Sequence, residues 1–448
     1  MHRLTTQQRR DLRAIVADGG FFSGMVGVGE SYVPAFVLAV GLGDVAAGLV
    51  ATLPMLAGAL LQLTTPWAVL RLGSYRRWVV ACACLQALSF VPLVVGGLAG
   101  GITLLWVGVA TVAYWGFGMA TGPAWNAWIT SLVPPEIRPR FFAHRTRIAQ
   151  GALLAALLGG GLLLELGRAR GRELWLFATI FSAALALRLV SASFLASQSE
   201  EPGLPARHKA MDTGRRSAWL RRPGSRRLLT YLVAMTAATY VAAPFFTPYM
   251  LGPLELSYGR FMVLTAAAFL ARLAVLPFLG RLVERRGARF VLVRGAWAIV
   301  PLPALWLVSD DFYYLLAVQL VAGSAWAALE LATMLALFEA VQDAERTRVL
   351  SIFNVANAAA VALGALLGSW IFSGLDGGAA GYAALFVVST LGRLATIPLL
   401  RHAPAPEAHV AAEDVSLRTL AVRPSAGAIQ RPILPTVEQT RPDPPDRA

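Results

Sequence analysis

Lysine is almost missing from this 448-residue chain: Lys209 is the only one, and arginine supplies the rest of its 39 basic residues. Charge of either sign is scarce, at 14% against about 25% in a typical soluble domain. The shortfall is uniform from about residue 15 to residue 400. A water-soluble globule of that composition would expose wide apolar patches and aggregate, so a bilayer is the solvent that fits. Cysteine is nearly missing too. Cys82 and Cys84 lie together in an apolar stretch, which supports neither a disulfide framework nor a zinc site, and they read as two small buried residues. The five histidines form no pair at ligand spacing within an apolar segment. The chain also lacks a Walker loop, a nucleophile elbow and an HExxH element, so no pattern calls for a nucleotide, a metal or another cofactor. A membrane-embedded transferase would need a cluster of polar catalytic residues at one face, and none is visible.

Hydrophobic residues make up 57% of the chain, and the net charge is +14. A nucleic-acid partner would require a soluble basic face. Here the arginines stand in short runs between apolar stretches, the pattern left by the orientation of membrane helices, and nucleic acid is excluded as a partner. The N-terminus is polar and basic (Arg3, Arg9, Arg10, Arg13), and an apolar stretch follows with no small-x-small cleavage site. That pattern is an uncleaved first span rather than a signal peptide. A span takes about 20 mostly apolar residues. Candidates run over 15–40, 45–66, 78–98, 102–130, 149–166 and 174–195, then over 228–251, 258–279, 290–308, 313–339, 352–373 and 379–400. The expected fold is an all-α membrane protein of about twelve transmembrane helices in two six-helix halves. Residues 1–14 form a cytoplasmic N-terminus, 15–195 the first half, 196–227 a cytoplasmic basic linker and 228–400 the second half. The tail, 401–448, is rich in proline and charge and poor in aromatics, and is expected to be a disordered cytoplasmic segment.

Arginine placement supports this division. The N-terminus and the stretches 71–77, 134–148, 196–227, 280–289 and 343–348 are arginine-rich, whereas 41–44, 96–101, 251–257, 309–311 and 374–378 contain no basic residue. The exception is 167–173, with Arg168, Arg170 and Arg172. By the excess of positive charge on the cytoplasmic side, both termini and the linker are expected to face the cytoplasm, in a multi-pass cell-membrane protein. The halves also repeat. Pro34 and Pro248 stand near corresponding ends of spans 1 and 7, Gly73 and Gly287 in the turns after spans 2 and 8, and the two members of each pair are 214 residues apart. Two matches at one offset point to a parallel duplication, with a solute site expected between the halves. The cluster Gly24-x-x-Gly27-x-Gly29 lies inside an apolar segment with no strand before it, which favours close helix packing over a nucleotide loop.

The turn after span 8 reads Gly280-Arg-Leu-Val-Glu284-Arg285-Arg-Gly287-Ala-Arg289. It resembles the G-x-x-x-D/E-R/K-x-G-x-R/K signature of the major facilitator superfamily, found there between spans 2 and 3 and again between 8 and 9. The first-half turn, Pro66-Trp-Ala-Val-Leu70-Arg71-Leu-Gly73-Ser-Tyr-Arg76-Arg77, keeps the arginine, the glycine and the basic end. It has Pro66 and Leu70 where the signature has its first glycine and its acid. The resemblance covers about residues 15–400. It implies a secondary transporter, not an enzyme, that moves a small solute by alternating access, coupled to a proton or solute gradient. A non-transporting receptor or scaffold of the same fold is the other reading. Glu284, Arg285 and Arg289, with Glu339 at the end of span 10 and more weakly Arg71, would form a cytoplasmic latch. An acid at a span end can meet the positive end of a helix or an arginine; the alternative is that these arginines only mark the cytoplasmic side. Trp125, Asn126 and Trp128 precede the loop Arg138-Pro-Arg140-Phe141-Phe142, similar to a bacterial subgroup with W-x-x-W before R-x-R-x-F. These tryptophans read equally as interfacial anchors or as solute contacts. Span 5 lacks the Gly-Pro motif frequent in the superfamily's antiporters, which weighs against drug–proton antiport.

Charges inside spans cost about 2.5–3.5 kcal/mol each at the bilayer centre. Asp18, Arg188 and Arg393 lie near span ends, where snorkelling would account for the arginines. Glu30, Arg272 and Glu330 lie deeper. Resemblance to the facilitator fold implies that spans 1, 4, 7 and 10 line the cavity, which places Glu30 and Glu330 on cavity helices. Arg272 and Glu330 could alternatively form an ion pair that holds the second half together. Glu30 has no basic neighbour within two helical turns in sequence and is a candidate to carry a coupling proton or to bind a cationic part of the solute; a structural hydrogen bond to Tyr32 or a carbonyl is the competing role. Tyr32, Tyr114, Trp115, Tyr240, Tyr249 and Trp326 could line the cavity or simply pack. The topology has a direct check: reporters fused at Gly100 and at Gly214 should be found on opposite sides of the membrane, and finding both on one side overturns it.

Overall fold

A computed structural model of the protein describes residues 5–134, 137–206, 223–340 and 343–402. Twelve of its helices are long and apolar enough to cross a bilayer. In the first half these are α1 (Thr6–Ala39), α2 (Asp44–Gln62), α3 (Tyr75–Ala99), α4 (Leu104–Ile129), α5 (His144–Arg168) and α6 (Glu173–Ser197). In the second they are α7 (Arg226–Leu251), α8 (Tyr258–Val283), α9 (Ala288–Leu305), α10 (Phe312–Thr333), α11 (Val355–Gly374) and α12 (Gly378–Leu400). No strand occurs among the described residues. Large apolar side chains face outward along them, Leu105 and Trp370 each with 74% of their surface exposed. A bilayer, not water, accommodates such a surface.

Helix α1 begins earlier than its apolar stretch does, because Thr5 and Gln8 form a capping box: the Thr5 hydroxyl accepts from the Gln8 backbone N–H at 3.1 Å, and Gln8 Oε1 accepts from the Thr5 N–H at 2.9 Å. Such a box satisfies two amides that a helix start otherwise leaves unpaired. The basic residues ahead of the apolar stretch therefore extend the first helix. Gly73 (φ +62°) follows the short helix Thr65–Leu72, and Gly287 (φ +80°) follows the helix Tyr258–Arg286. Both sit in backbone conformations that a Cβ opposes, so the recurrent glycines of the two turns share one physical cause.

The duplication recurs in packing. In the first half α1 packs on α5 and α6, and α4 packs on α2 and α3; in the second α7 packs on α11 and α12, and α10 on α8 and α9. The halves meet through α2 against α11 and α5 against α8, two contacts exchanged by swapping the halves, and through the ends of α1, α2 and α7. Gly27 explains one close approach: a Cβ there would lie 2.5 Å from the Leu153 carbonyl oxygen of α5. The glycine cluster of α1 thus serves helix packing.

Helices α1 and α7 are broken at matching places. In α1, the helix Thr6–Val28 gives way to a 3-10 turn, Glu30–Tyr32, before Val33–Ala39; in α7, Pro223–Ala242 gives way to Ala243–Phe245 before Phe246–Leu251. Proline lacks an amide hydrogen and crowds the carbonyl four residues back. For Pro34 and Pro248 that carbonyl belongs to residues 30 and 244, inside the two turns.

Charge is managed inside the bundle. Arg188 and Arg393 do not snorkel, as their positions suggest they should: they are 2% and 0% exposed. Arg188 donates to Gln86 Oε1 at 2.8 Å and to Ser191 Oγ at 2.7 Å, and Arg393 donates to the Ile299 carbonyl at 2.7 Å beside the Trp326 ring. Neighbouring helices supply acceptors, so turning inward costs less than the sequence position implies. Arg272 of α8 and Glu330 of α10 meet as an ion pair, both buried. Removing one partner of such a pair leaves a lone charge in low dielectric, which costs about 3–5 kcal/mol. Arg272→Met or Glu330→Gln alone should lower the melting temperature clearly, and the double variant should recover much of the loss. Additive losses in that cycle would show that the two charges are not coupled.

Candidate functional site

A cavity lies between the halves where the two broken helices face each other. It encloses about 960 Å³ of space free of protein atoms, part of it open to solvent. Glu30, Ser31, Val33 and Pro34 of α1 contribute to its wall, and Ala243, Pro244 and Thr247 of α7 stand opposite. The break in α2, at Ala51 and Thr52, adds a third irregular segment. Tyr114 and Trp115 of α4, Phe90 of α3, Tyr240 of α7 and Phe261 of α8 supply aromatic surface. Glu30 is half-buried, and its Oε2 accepts the Tyr114 hydroxyl at 2.6 Å.

The other sequence candidates lie elsewhere. Tyr32 is fully buried; its hydroxyl donates to the Leu157 carbonyl and reaches Met262 Sδ of α8 at 2.9 Å, so it joins α1, α5 and α8. Tyr249 packs among Trp306, Tyr382 and Phe386, outside the cavity wall. Arg272 and Glu330 pair inside the second half and are not among the lining residues. Trp125 is half-buried at the arginine-rich end of α4, with the Arg145 guanidinium 4.6 Å from its ring centre. Asn126 is half-buried beside it and does not line the cavity. Trp128 is fully buried and donates to the Ser199 carbonyl at 2.8 Å. Asp18 is 3% exposed. It pairs with Arg145 at 3.7 Å and accepts from Ser191 at 2.7 Å, and Ser191 in turn accepts from Arg188.

On the arginine-rich side, Arg71 is exposed over Trp67, Gly280 is half-buried, Arg285 is exposed and Arg289 half-buried. The side chains of Glu284 and Glu339 lie outside the described residues, and with them the expected latch. An acid missing from the first-half turn is supplied from elsewhere. Glu200, just past α6, accepts from the Tyr75 N–H at 2.6 Å, from the Arg76 N–H at 3.3 Å and from the Ser74 hydroxyl. Its carboxylate thus sits on the N-terminus of α3, where the helix dipole favours negative charge. Asp11 of α1 accepts from the Ser199 N–H at 3.0 Å, and Leu204 is buried against Trp128, Ile129 and Tyr75. The beginning of the segment read as a basic linker, 196–227, is therefore docked on the first half.

Polar ties between the halves stand on the arginine-poor side. Tyr258 at the start of α8 donates to Glu173 of α6, the Gly259 N–H donates to Glu165 of α5 at 3.1 Å, and the Arg168 guanidinium lies 6.0 Å from the Tyr258 ring centre. Tyr382 of α12 donates to Asp44 of α2 at 2.9 Å. These residues were missed in the sequence; the signal was the lone arginine-bearing loop, 167–173, flanked by Glu165 and Glu173 on an otherwise uncharged stretch. Among the described residues no group of His, Cys, Asp and Glu is arranged to hold a metal.

Twelve candidate spans in two alike halves around a central cavity are the architecture in which secondary transporters place their substrate sites. Residues 227–442, just under half of the chain, match the model of the Major Facilitator Superfamily. The fold of the chain is shared with solved transporters at low identity. A D-xylose–proton symporter is 15% identical with a TM-score of 0.67, covering 90% of this chain and 99% of the other. A variant of the nucleoside transporter NupG is 12% identical, with a TM-score of 0.66 over 88% and 100%. A bacterial homologue of the human lysosomal transporter Spinster, in an inward-facing and unoccupied conformation, is 16% identical, with a TM-score of 0.64 over 90% and 95%. No curated protein sequence matches the chain.

The docked carboxylate gives a test. Glu200→Gln removes the charge from the α3 terminus and should cost about 1 kcal/mol, or roughly 2–4 °C in melting temperature for a six-helix half of this size. Glu200→Ala should cost more. An unchanged melting temperature in both would mean that the contact is incidental.

Proposed function

We propose that this protein moves a small solute across the cell membrane by alternating access, with the solute bound in the cavity between the halves and driven by a solute or proton gradient. The observation that carries this reading is the pair of 3-10 breaks in α1 and α7, which put irregular backbone and Glu30 on the same cavity. Irregular backbone at membrane depth is tolerated where it lines a cavity, and discontinuous helices at the interface of repeats are where transporters bind substrates and coupling ions. The division into a half at 15–195, a linker, a second half at 228–400 and a tail fits rigid bodies that rock about the site. The arginine-rich side, with both termini and the linker, faces the cytoplasm, and the membrane is the plasma membrane. Glu165, Glu173 and Asp44, tied to the second half through Gly259, Tyr258 and Tyr382, hold the cavity closed toward the opposite side.

Alternation can be read without knowing the solute. In a background with Cys82 and Cys84 replaced by serine, Thr52→Cys places a thiol on the cavity wall. A membrane-impermeant thiol reagent should reach it slowly from the arginine-poor side and severalfold faster once Glu165→Gln and Glu173→Gln loosen that side. Labelling unaffected by the two substitutions, or a Thr52→Cys thiol unreachable from either face, would overturn the reading.

A further inference from the structure

We propose that the cavity binds an organic monocation, an amine or quaternary ammonium on an apolar body, with Glu30 as its counter-ion; this rests on the reading of the cavity as the solute site. Among the described lining residues Glu30 is the one charged side chain, and its carboxylate accepts the Tyr114 hydroxyl. Arg145, half-buried, and Arg188, buried, converge elsewhere in the first half: Arg145 pairs with Asp18, and Arg188 reaches it through Ser191.

Hydrogen-bond polarity sharpens the choice. The lining hydroxyls of Ser31, Thr52, Ser89, Thr111 and Thr265 each donate to a carbonyl of their own span, those of Val26, Gly48, Gln86, Val107 and Phe261, and the Tyr114 hydroxyl donates to Glu30. A hydroxyl has one proton to give and two lone pairs to offer. With the protons committed inside the protein, these groups face the cavity as acceptors. An anion needs a positive charge or donors in number; no described lining residue is basic, and beyond those hydroxyls the side-chain donors on the described wall are the Tyr240 and Thr247 hydroxyls and the Trp115 indole N–H. A sugar-like solute needs donors and acceptors in number, and no Asn or Gln is among the described lining residues. A cation meets a carboxylate, hydroxyl lone pairs and the faces of Phe90, Tyr114, Trp115 and Phe261. Aromatic faces attract cations through the ring quadrupole, and charge pairing with Glu30 leaves the loaded site neutral at membrane depth.

The test uses the purified full-length protein in lipid nanodiscs and probes of one shape and different charge: benzyltrimethylammonium, benzyl alcohol and benzoate, with tetraphenylphosphonium as a bulkier cation. A ligand that binds the folded state raises the melting temperature by mass action. At least one cation should stabilise the protein and slow labelling of the Thr52→Cys variant, while benzoate and benzyl alcohol should do neither. Glu30→Gln should weaken the cation at least tenfold without lowering the ligand-free melting temperature by more than a few degrees, and Glu30→Asp should keep part of the affinity. Absence of binding by both cations, equal binding by benzoate or benzyl alcohol, or undiminished cation binding by Glu30→Gln overturns the proposal. If benzoate or benzyl alcohol protects the Thr52→Cys thiol, the site stands and the charge class falls; if a cation binds without protecting it, the site itself is refuted.

Discussion

Hydrocarbon offers no hydrogen-bond partner, so each backbone amide and carbonyl within the membrane has to be satisfied by the chain itself. That constraint makes all twelve spans helical, and it makes every interruption informative. The breaks at Gly29 and at residues 243–245 leave carbonyls without their usual helical donors, and local groups compensate: the Ser31 hydroxyl turns back to the Val26 carbonyl. Both interruptions, with that of α2 at Thr52, fall on one cavity rather than on the lipid-facing surface. The cavity thus lies where three of the spans stop being regular.

The same scarcity of partners governs charge. Asp18, Arg145, Arg188, Gln86 and Ser191 form one connected cluster on α1, α3, α5 and α6, and Arg272 with Glu330 cross-links α8 and α10. These charges fasten helices within a half. Glu165, Glu173 and Asp44 act instead between halves, and Glu30 faces the space between them. Membrane acids thereby divide into those that hold a half rigid and those that lie where the halves meet, which is the separation that moving rigid bodies requires.

Hydropathy and arginine asymmetry made the twelve spans and the duplication legible, because both patterns are local and are repeated many times along the chain. The pairing of Arg272 with Glu330 could be read from similar depth on two spans of one half. Glu30 stood out as a deep acid without a nearby base, yet its partner proved to be Tyr114 of α4, more than eighty residues away, rather than its neighbour Tyr32. Arg188 and Arg393 were misleading for the same reason: distance from a span end suggests snorkelling, but the direction of a side chain depends on which acceptors adjacent helices offer. Glu200 illustrates the limit most clearly. The motif turn lacks an acid in sequence, and only the folded chain brings a carboxylate from beyond α6 to the start of α3. Tertiary contacts of this kind leave no trace in spacing.

The contacts between the halves have a further consequence. Packing of α2 on α11 and of α5 on α8 is related by exchange of the halves, which is the geometry of an isologous interface in a twofold dimer. A six-span unit carries an even number of crossings, so its two ends emerge on one side, and two copies can be fused head to tail without an additional crossing. Covalent joining replaces a bimolecular encounter in the plane of the membrane with an intramolecular one at high effective concentration. It also frees the copies to diverge: Glu30 in the first half corresponds to Pro244 in the second, an asymmetry that a dimer of identical chains could not have.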